Sequence, residues 1–192
     1  MNFSLIVCTN KENGIGFFDQ NRNKYFIPWK SKTDMSFFKQ ITTSKENSVV
    51  IMGRNTHSSL PNNFLSDRIN IVVTTKPHLI HDERVITVTS LIESLLFCKK
   101  NNFKNIFVIG GALLYKEALR SEYLDSIYWN IINNDNLCNI HFPLNFQDAL
   151  LYYNLDNNYT MMKKNTDRLK FYKLNKKFIQ NHEIHDLYNR EV

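Results

Sequence analysis

A single acid, Asp34, stands in the stretch Ile27 to Thr42 (IPWKSKTDMSFFKQIT), with Ile27, Trp29, Met35, Phe37 and Phe38 around it. If a helix starts near Thr33, three- and four-residue spacing puts Asp34, Phe38 and Ile41 or Thr42 on one face. That sets one carboxylate at the end of an apolar wall. The same residues also suit an ordinary helix start, with Asp in the first turn complementing the macrodipole and Met35 and Phe38 packed in the core. Two further constellations could hold an anion. Gly53-Arg54-Asn55-Thr56 directly follows the apolar run SVVIM, bringing backbone N–H groups and a cation to a helix start. A plain turn capped by Asn55 or Thr56 has the same sequence. Gly110-Gly111 closes the run NIFVI and lets a ligand approach the backbone. A glycine pair also serves tight packing of helix on sheet, and it falls short of the full dinucleotide fingerprint.

The elements that must position these groups alternate between strand and helix. Phe3 to Thr9 is a continuous apolar run, expected to be a central strand buried on both faces. Asn13-Gly14-Ile15-Gly16 supplies a turn, and Phe17 to Phe26, polar between aromatic ends, reads as a mobile loop with two anchors. Strands follow at Ser48 to Met52, Arg68 to Thr75, Val85 to Val88, Asn105 to Gly111 and Ser126 to Ile132. Between them lie a short helix ended by Leu60-Pro61, a polar loop around Phe64 and Leu65, and helices at Leu91 to Lys99 and Ala112 to Leu119. Leu151 to Leu155, Tyr159 to Lys164 and Leu169 to Leu174 alternate in polarity, with turn residues at Asp156-Asn157-Asn158 and Asn165-Thr166-Asp167, and read as an antiparallel hairpin closing the sheet. The fold class is therefore α/β: a central, mostly parallel β-sheet with a C-terminal antiparallel hairpin, flanked by about four helices. Residues 1–177 form one domain, and 178–192 a tail or linker.

Composition narrows the function. The chain has 192 residues, 43% hydrophobic, enough for one full core. Its net charge of +6 admits a polyanionic partner, but the basic residues are scattered and gather only at Lys163, Lys164, Lys170, Lys173, Lys176 and Lys177, which suits a solvated strand face. A small anionic ligand fits the same charge, and no nucleic acid is expected. Cys8, Cys98 and Cys138 have no metal or redox spacing, so reduced thiols, no metal and a cytoplasmic location are expected. The N-terminal apolar run is too short for a signal peptide and no run approaches a membrane span.

Taken in order, these motifs resemble one family, dihydrofolate reductase, over roughly residues 2–175. The resemblance is carried by the Gly14-Ile15-Gly16 turn, Pro28-Trp29 followed by Asp34 and Phe38, Met52-Gly53-Arg54-Asn55-Thr56 through Ser59-Leu60-Pro61, Arg68 before a strand, Ile109-Gly110-Gly111 with Tyr115, and His141-Phe142-Pro143. It implies hydride transfer from NADPH to C6 of dihydrofolate with protonation at N5, in thymidylate and one-carbon metabolism, and sensitivity to antifolate inhibitors. By that resemblance Asp34 bonds the pterin N3 and 2-amino group, and Trp29 helps to hold the water that delivers the proton. Ile6, Val7, Cys8, Met35, Phe38, Leu60, Leu65 and Ile109 line the substrate pocket, Arg68 clamps the glutamate α-carboxylate, and Tyr115 lies near the nicotinamide. Cofactor contacts fall to Cys8, Ile15, Gly16, Gly53, Arg54, Asn55, Thr56, Ile109, Gly110, Gly111, Ala112, Leu113, Leu114 and Tyr115, with Thr74, Thr75 and Lys76 at the 2′-phosphate.

Three departures from the family pattern stand out. Asn130 occupies the place of the threonine that usually bonds the acid. Leu113 and Thr75 stand where many members carry an arginine for the adenosine phosphate, which bears on the choice of NADPH over NADH. The loop between Gly16 and Pro28 is long. In the tail, His182-Glu183-Ile184-His185-Asp186-Leu187-Tyr188 resembles the His-Glu-x-Tyr-x-x-Leu opening of thymidylate synthase in bifunctional proteins, and a disordered tail is the other reading. The chain is thus expected to be a monomer, or fused to or associated with a thymidylate synthase. The rival readings are a same-fold pyrimidine reductase of flavin synthesis and a binding module without catalysis.

Overall fold

The computed structural model describes residues 1–162, 166 and 168–177; the expected tail 178–192, with its His182 to Tyr188 motif, lies outside them. The strands are β1 (Phe3–Asn10), β2 (Gly14–Asp19), β3 (Lys24–Phe26), β4 (Val49–Gly53), β5 (Ile69–Val73), β6 (Val85–Val88), β7 (Ile106–Val108), β8 (Leu124–Ile132), β9 (Ile140–His141), β10 (Tyr153–Leu155) and β11 (Leu169–Lys176). The helices are α1 (Lys32–Thr42), α2 (Arg54–Ser59), α3 (Leu91–Lys100), α4 (Ala112–Leu119), α5 (Phe146–Tyr152) and α6 (Asn157–Met162). Eight strands form one sheet in the order β10-β11-β8-β1-β7-β4-β5-β6, parallel from β8 to β6 and antiparallel at β10 and β11. Because β7 inserts between β1 and β4, the strand order reverses there, and open α/β sheets bind ligands outside the carboxyl ends of strands at such a point.

Alternation along each strand divides the core in two. Leu5, Val7, Ile51, Val108, Ile127 and Trp129 face one side, with Leu91 and Leu95 of α3 and Leu114 and Ala118 of α4. Ile6, Val50, Met52, Phe107, Ile132 and Phe171 face the other, with Phe37 of α1. Both faces are covered, so the parallel strands read as continuous apolar runs. Phe142 sits in the first core between the rings of Tyr115 and Trp129, at 5.1 and 4.8 Å, so the His141-Phe142-Pro143 punctuation is an anchor.

Two expectations are corrected. The segment Phe17 to Phe26 is a β-hairpin and not a mobile loop: Phe17 pairs with Phe26 and Phe18 with Tyr25, their rings 5.7 and 4.5 Å apart. Its turn is built by Asp19, whose carboxylate accepts from the backbone N–H groups of Asn21 and Arg22 at 3.0 and 3.2 Å, and by Asn23 in the left-handed region at φ 48°. β2 also pairs with β9, and a Cβ on Gly14 would lie 2.4 Å from that of Cys138, which explains the glycine. The second correction concerns the C-terminal region, where α5 and α6 raise the helix number to six. Asn145 caps α5 through Asp148 N, and the Asp156 carboxylate accepts from Tyr159 N at 3.0 Å, starting a helix over Asn157 to Met162 where alternation suggests a strand. β10 and β11 remain antiparallel partners, as expected of the closing hairpin.

Candidate active site

Helix α1 begins at Ser31, whose hydroxyl accepts from Asp34 N at 3.2 Å. Since Ser31 does the capping, the Asp34 carboxylate is released to turn towards the sheet. There Asn130 Nδ2 donates to Asp34 Oδ1 at 2.7 Å. Asn130 lies on β8 directly opposite Cys8 on β1. Burial pushes the Asp34 pKa up, and the bond from Asn130 opposes that rise without cancelling it. Burial also raises the Cys8 thiol, reinforced by the neighbouring Asp34 charge, so the sulfur stays protonated.

The wall beside this acid is assembled from Ile6, Cys8, Trp29, Phe38, Leu60, Leu65 and Ile109, which all belong to the core on the α1 side of the sheet. At its far end Arg68 Nη1 donates to Thr42 Oγ1 at 2.7 Å and Nε to Ser66 O at 2.9 Å, with the guanidinium 5.7 Å from the Phe38 ring centroid. Partial burial lowers the Arg68 pKa from its ordinary value, yet the guanidinium remains a cation. The apolar wall thus runs from a carboxylate to a guanidinium.

The second region lies where β4 and β7 end. Gly53 N donates to Gly110 O at 2.7 Å, bringing the starts of α2 and α4 together. Neither Asn55 nor Thr56 caps α2: the N-caps are Gly53 and Gly111, with no side-chain cap bond at either, so the first N–H groups of both helices are open to an anion. Gly110 adopts φ +117°, and a Cβ there would lie 3.2 Å from the Tyr115 ring; one on Gly111 would meet Thr56 Oγ1 at 3.3 Å. Arg54, Asn55, Thr75 and Lys76 are exposed around this end, whereas the Thr74 hydroxyl is buried and accepts from Lys76 N at 3.1 Å. Ala112 is half-buried in the first turn of α4. Ile15 is partly buried against the opposite core, and Gly16 lies against Phe26 O.

Four expected site residues stand apart. Val7 and Leu114 turn their side chains into the core on the opposite face, as strand alternation and the helix period require, so only their backbones reach the crevice. Leu113 is 86% exposed and Met35 57% exposed, pointing to solvent. Tyr115 is present, but its hydroxyl donates to Ile6 O at 2.8 Å, which ties α4 to β1.

Residues 2–176 match the family model described as Dihydrofolate reductase. The chain belongs to the dihydrofolate reductase family. It is similar to the dihydrofolate reductase of Pneumocystis carinii, 35% identical over 161 residues that cover 76% of this chain and 75% of that protein. The solved Schistosoma mansoni dihydrofolate reductase superposes with a TM-score of 0.73 at 30% identity, covering 92% of this chain and 99% of that one. A bifunctional dihydrofolate reductase-thymidylate synthase of Arabidopsis thaliana is 33% identical over 73% of this chain, which spans 28% of its length. Dihydrofolate reductase activity is the function that this membership supports. Among the described residues, no helix is long and apolar enough to cross a membrane.

Two contributors escaped the sequence reading. Thr42 is fully buried and holds Arg68, a pairing hidden by a separation of 26 positions, although Thr42 was legible on the Asp34 face of α1. Cys8 was expected as pocket lining and cofactor contact; its place opposite Asn130 depends on the β1–β8 register, which no local pattern encodes.

Proposed function

We propose that this chain reduces 7,8-dihydrofolate to 5,6,7,8-tetrahydrofolate with NADPH. The observation that carries the reading is the Asp34 carboxylate, raised in pKa and bonded by Asn130, at one end of an aromatic wall whose other end is Arg68. Asp34 holds the pterin N3 and 2-amino group, since a carboxylate can accept from both. Its raised pKa favours the protonated acid, for delivery of a proton towards N5 by way of water beside Trp29. Phe38 packs on the pterin and aminobenzoyl rings, and the Arg68 fork takes the glutamate α-carboxylate.

The uncapped starts of α2 and α4, the side-chain-free surface at Gly53, Gly110 and Gly111, and the exposed Arg54 and Lys76 fit a phosphorylated dinucleotide. Bound NADPH supplies the hydride for C6. Arg54, Asn55 and Thr56 hold phosphate at one helix start and Gly110 to Leu114 at the other, with Thr75 and Lys76 at the 2′-phosphate. Similarity to the bifunctional relative supports a second arrangement, in which the same reductase is one part of a longer protein with thymidylate synthase.

The test is loss of NADPH absorbance on adding dihydrofolate, run beside NADH and with methotrexate as inhibitor. The expected result is methotrexate-sensitive turnover that prefers NADPH. A folded sample that binds neither ligand and turns over neither cofactor overturns the reading.

A further inference from the structure

Helix α1 carries the acid at one end and a buried hydroxyl at the other. Asp34 lies in its first turn and Thr42 is its last residue, with Phe38 midway between them on the same face. At 1.5 Å per residue the rise from Asp34 to Thr42 is about 12 Å. Thr42 is fully buried, and its single proton is spent on Phe38 O at 2.7 Å, so towards Arg68 Nη1, also at 2.7 Å, its oxygen can only accept. The main chain of Arg68 is fixed from the other side by Asn70 of β5, which is 2% exposed. Its Nδ2 donates to Leu65 O at 2.8 Å and to Arg68 O at 2.9 Å, and its Oδ1 accepts from Leu65 N at 2.9 Å. One buried amide thus closes the loop from Leu65 to Arg68, within which Arg68 Nε turns back to Ser66 O at 2.9 Å.

We propose that Thr42 is a specificity-determining positioning residue: it makes α1 a ruler that fixes the Arg68 fork at one distance from Asp34, so the site selects a substrate by the span from its pterin to its carboxylate. The inference rests on the reading of Asp34 as the pterin acid and of Arg68 as the clamp of the glutamate α-carboxylate. Both ends of the span belong to one rigid element, Asp34 through its place in the first turn and Arg68 through the acceptor on the last residue. An arginine side chain otherwise has rotamer freedom enough to follow a displaced anion. With its main chain held by Asn70, its Nε on Ser66 O and its Nη1 on Thr42, the remaining N–H groups leave from a fixed plane. Valine in place of Thr42 keeps the branched shape and removes the acceptor, so the guanidinium is released while its charge and the Asn70 frame stay. The ligand class is an aminobenzoyl amino acid whose carboxylate stands one amide and one carbon beyond the ring. A carboxylate borne directly on the benzoyl ring falls short of the fork, and one pushed out by a further methylene overshoots it.

Two measurements test this. In the wild-type protein, binding is compared for dihydrofolate, for dihydropteroate, whose carboxylate sits on the benzoyl ring, and for a dihydrofolate analogue with one methylene inserted between ring and amide. Both altered lengths are expected to bind about ten-fold or more weakly than dihydrofolate, and this readout does not depend on how a variant folds. Steady-state kinetics with dihydrofolate, dihydropteroate and a tail-free dihydropterin are then compared for wild type, Thr42→Val, Thr42→Ser and Arg68→Leu. Thr42→Val is expected to raise KM for dihydrofolate about ten-fold and to leave the tail-free dihydropterin as in the wild type. The preference for dihydrofolate over dihydropteroate thereby narrows, and serine restores it. Equal binding of the three lengths, a wild-type preference in Thr42→Val, or the same loss on all three substrates overturns the proposal. A preference left intact in Arg68→Leu instead overturns the assignment of Arg68 as the clamp, so the two failures are distinct.

Discussion

Replacing Arg68 by lysine is expected to weaken the grip on the substrate's glutamate and to leave the chemistry alone. The guanidinium has five N–H donors. Nε is used on Ser66 O at 2.9 Å and one Nη1 hydrogen on Thr42 Oγ1 at 2.7 Å, so the remaining donors are free to fork a carboxylate. The anchor is firm, because Thr42 is fully buried and its own hydroxyl donates to Phe38 O at 2.7 Å. Lysine keeps the charge and loses the fork, giving up one of two charge-assisted bonds at about 1.5–3 kcal/mol each. Arg68 is half-buried, so solvent screening brings the expected loss to about 2 kcal/mol, or roughly 30-fold in KM. Steady-state kinetics with dihydrofolate should show that rise in KM with kcat within about two-fold, the signature of binding shared by ground and transition states. A dihydropterin lacking the aminobenzoyl-glutamate should show no change. An equal loss on both substrates would refute a role confined to the tail. Thr42 keeps its bond to Phe38 in the variant, so the cost to folding should be about 1 kcal/mol or less.

Two further outcomes follow from the geometry. Gly110→Ala should lower unfolding stability by roughly 1–3 kcal/mol in urea titrations and weaken NADPH binding, because φ +117° disfavours a side chain and the new Cβ would press 3.2 Å from the Tyr115 ring. Asn130→Leu removes a donor to ionised Asp34 and leaves burial to dominate, so the Asp34 pKa rises further. Activity that needs the protonated acid is present below that pKa and lost above it. The falling limb of kcat/KM should therefore move to higher pH by about one unit, and a limb that stays put or moves down would contradict the pairing.

The parallel sheet was legible because strands buried on both faces carry unbroken apolar runs, such as Phe3 to Thr9, between well-marked helices. The order of Asp34, Arg54, Arg68 and the glycine pair was legible too, as each sits at the end of a strand or the start of a helix. What was not legible depends on partners distant in sequence. Asp34 suits either a first-turn acid or a site acid, and the two bonds that bear on the choice, the Ser31 cap and the Asn130 amide, come from the fold and not from the local pattern. Phe17 to Phe26 looked like a loop because its polar middle hides two short strands whose pairing rests on an Asp19 turn. Around Tyr159 alternating polarity competed with an aspartate cap, and the cap prevailed. Val7 and Leu114 show the opposite failure: residues adjacent to site positions along the chain share their backbone, while period and pleat send their side chains elsewhere.

The most direct measurement is the rate of hydride transfer in Asp34→Asn, followed in a single turnover of dihydrofolate with NADPH at neutral pH, alongside cofactor affinity. An amide cannot hold or release the proton, so the rate should fall at least about 100-fold while NADPH binds as it does to the wild type. A wild-type rate in the folded variant would contradict the assignment of Asp34 as the acid of this site.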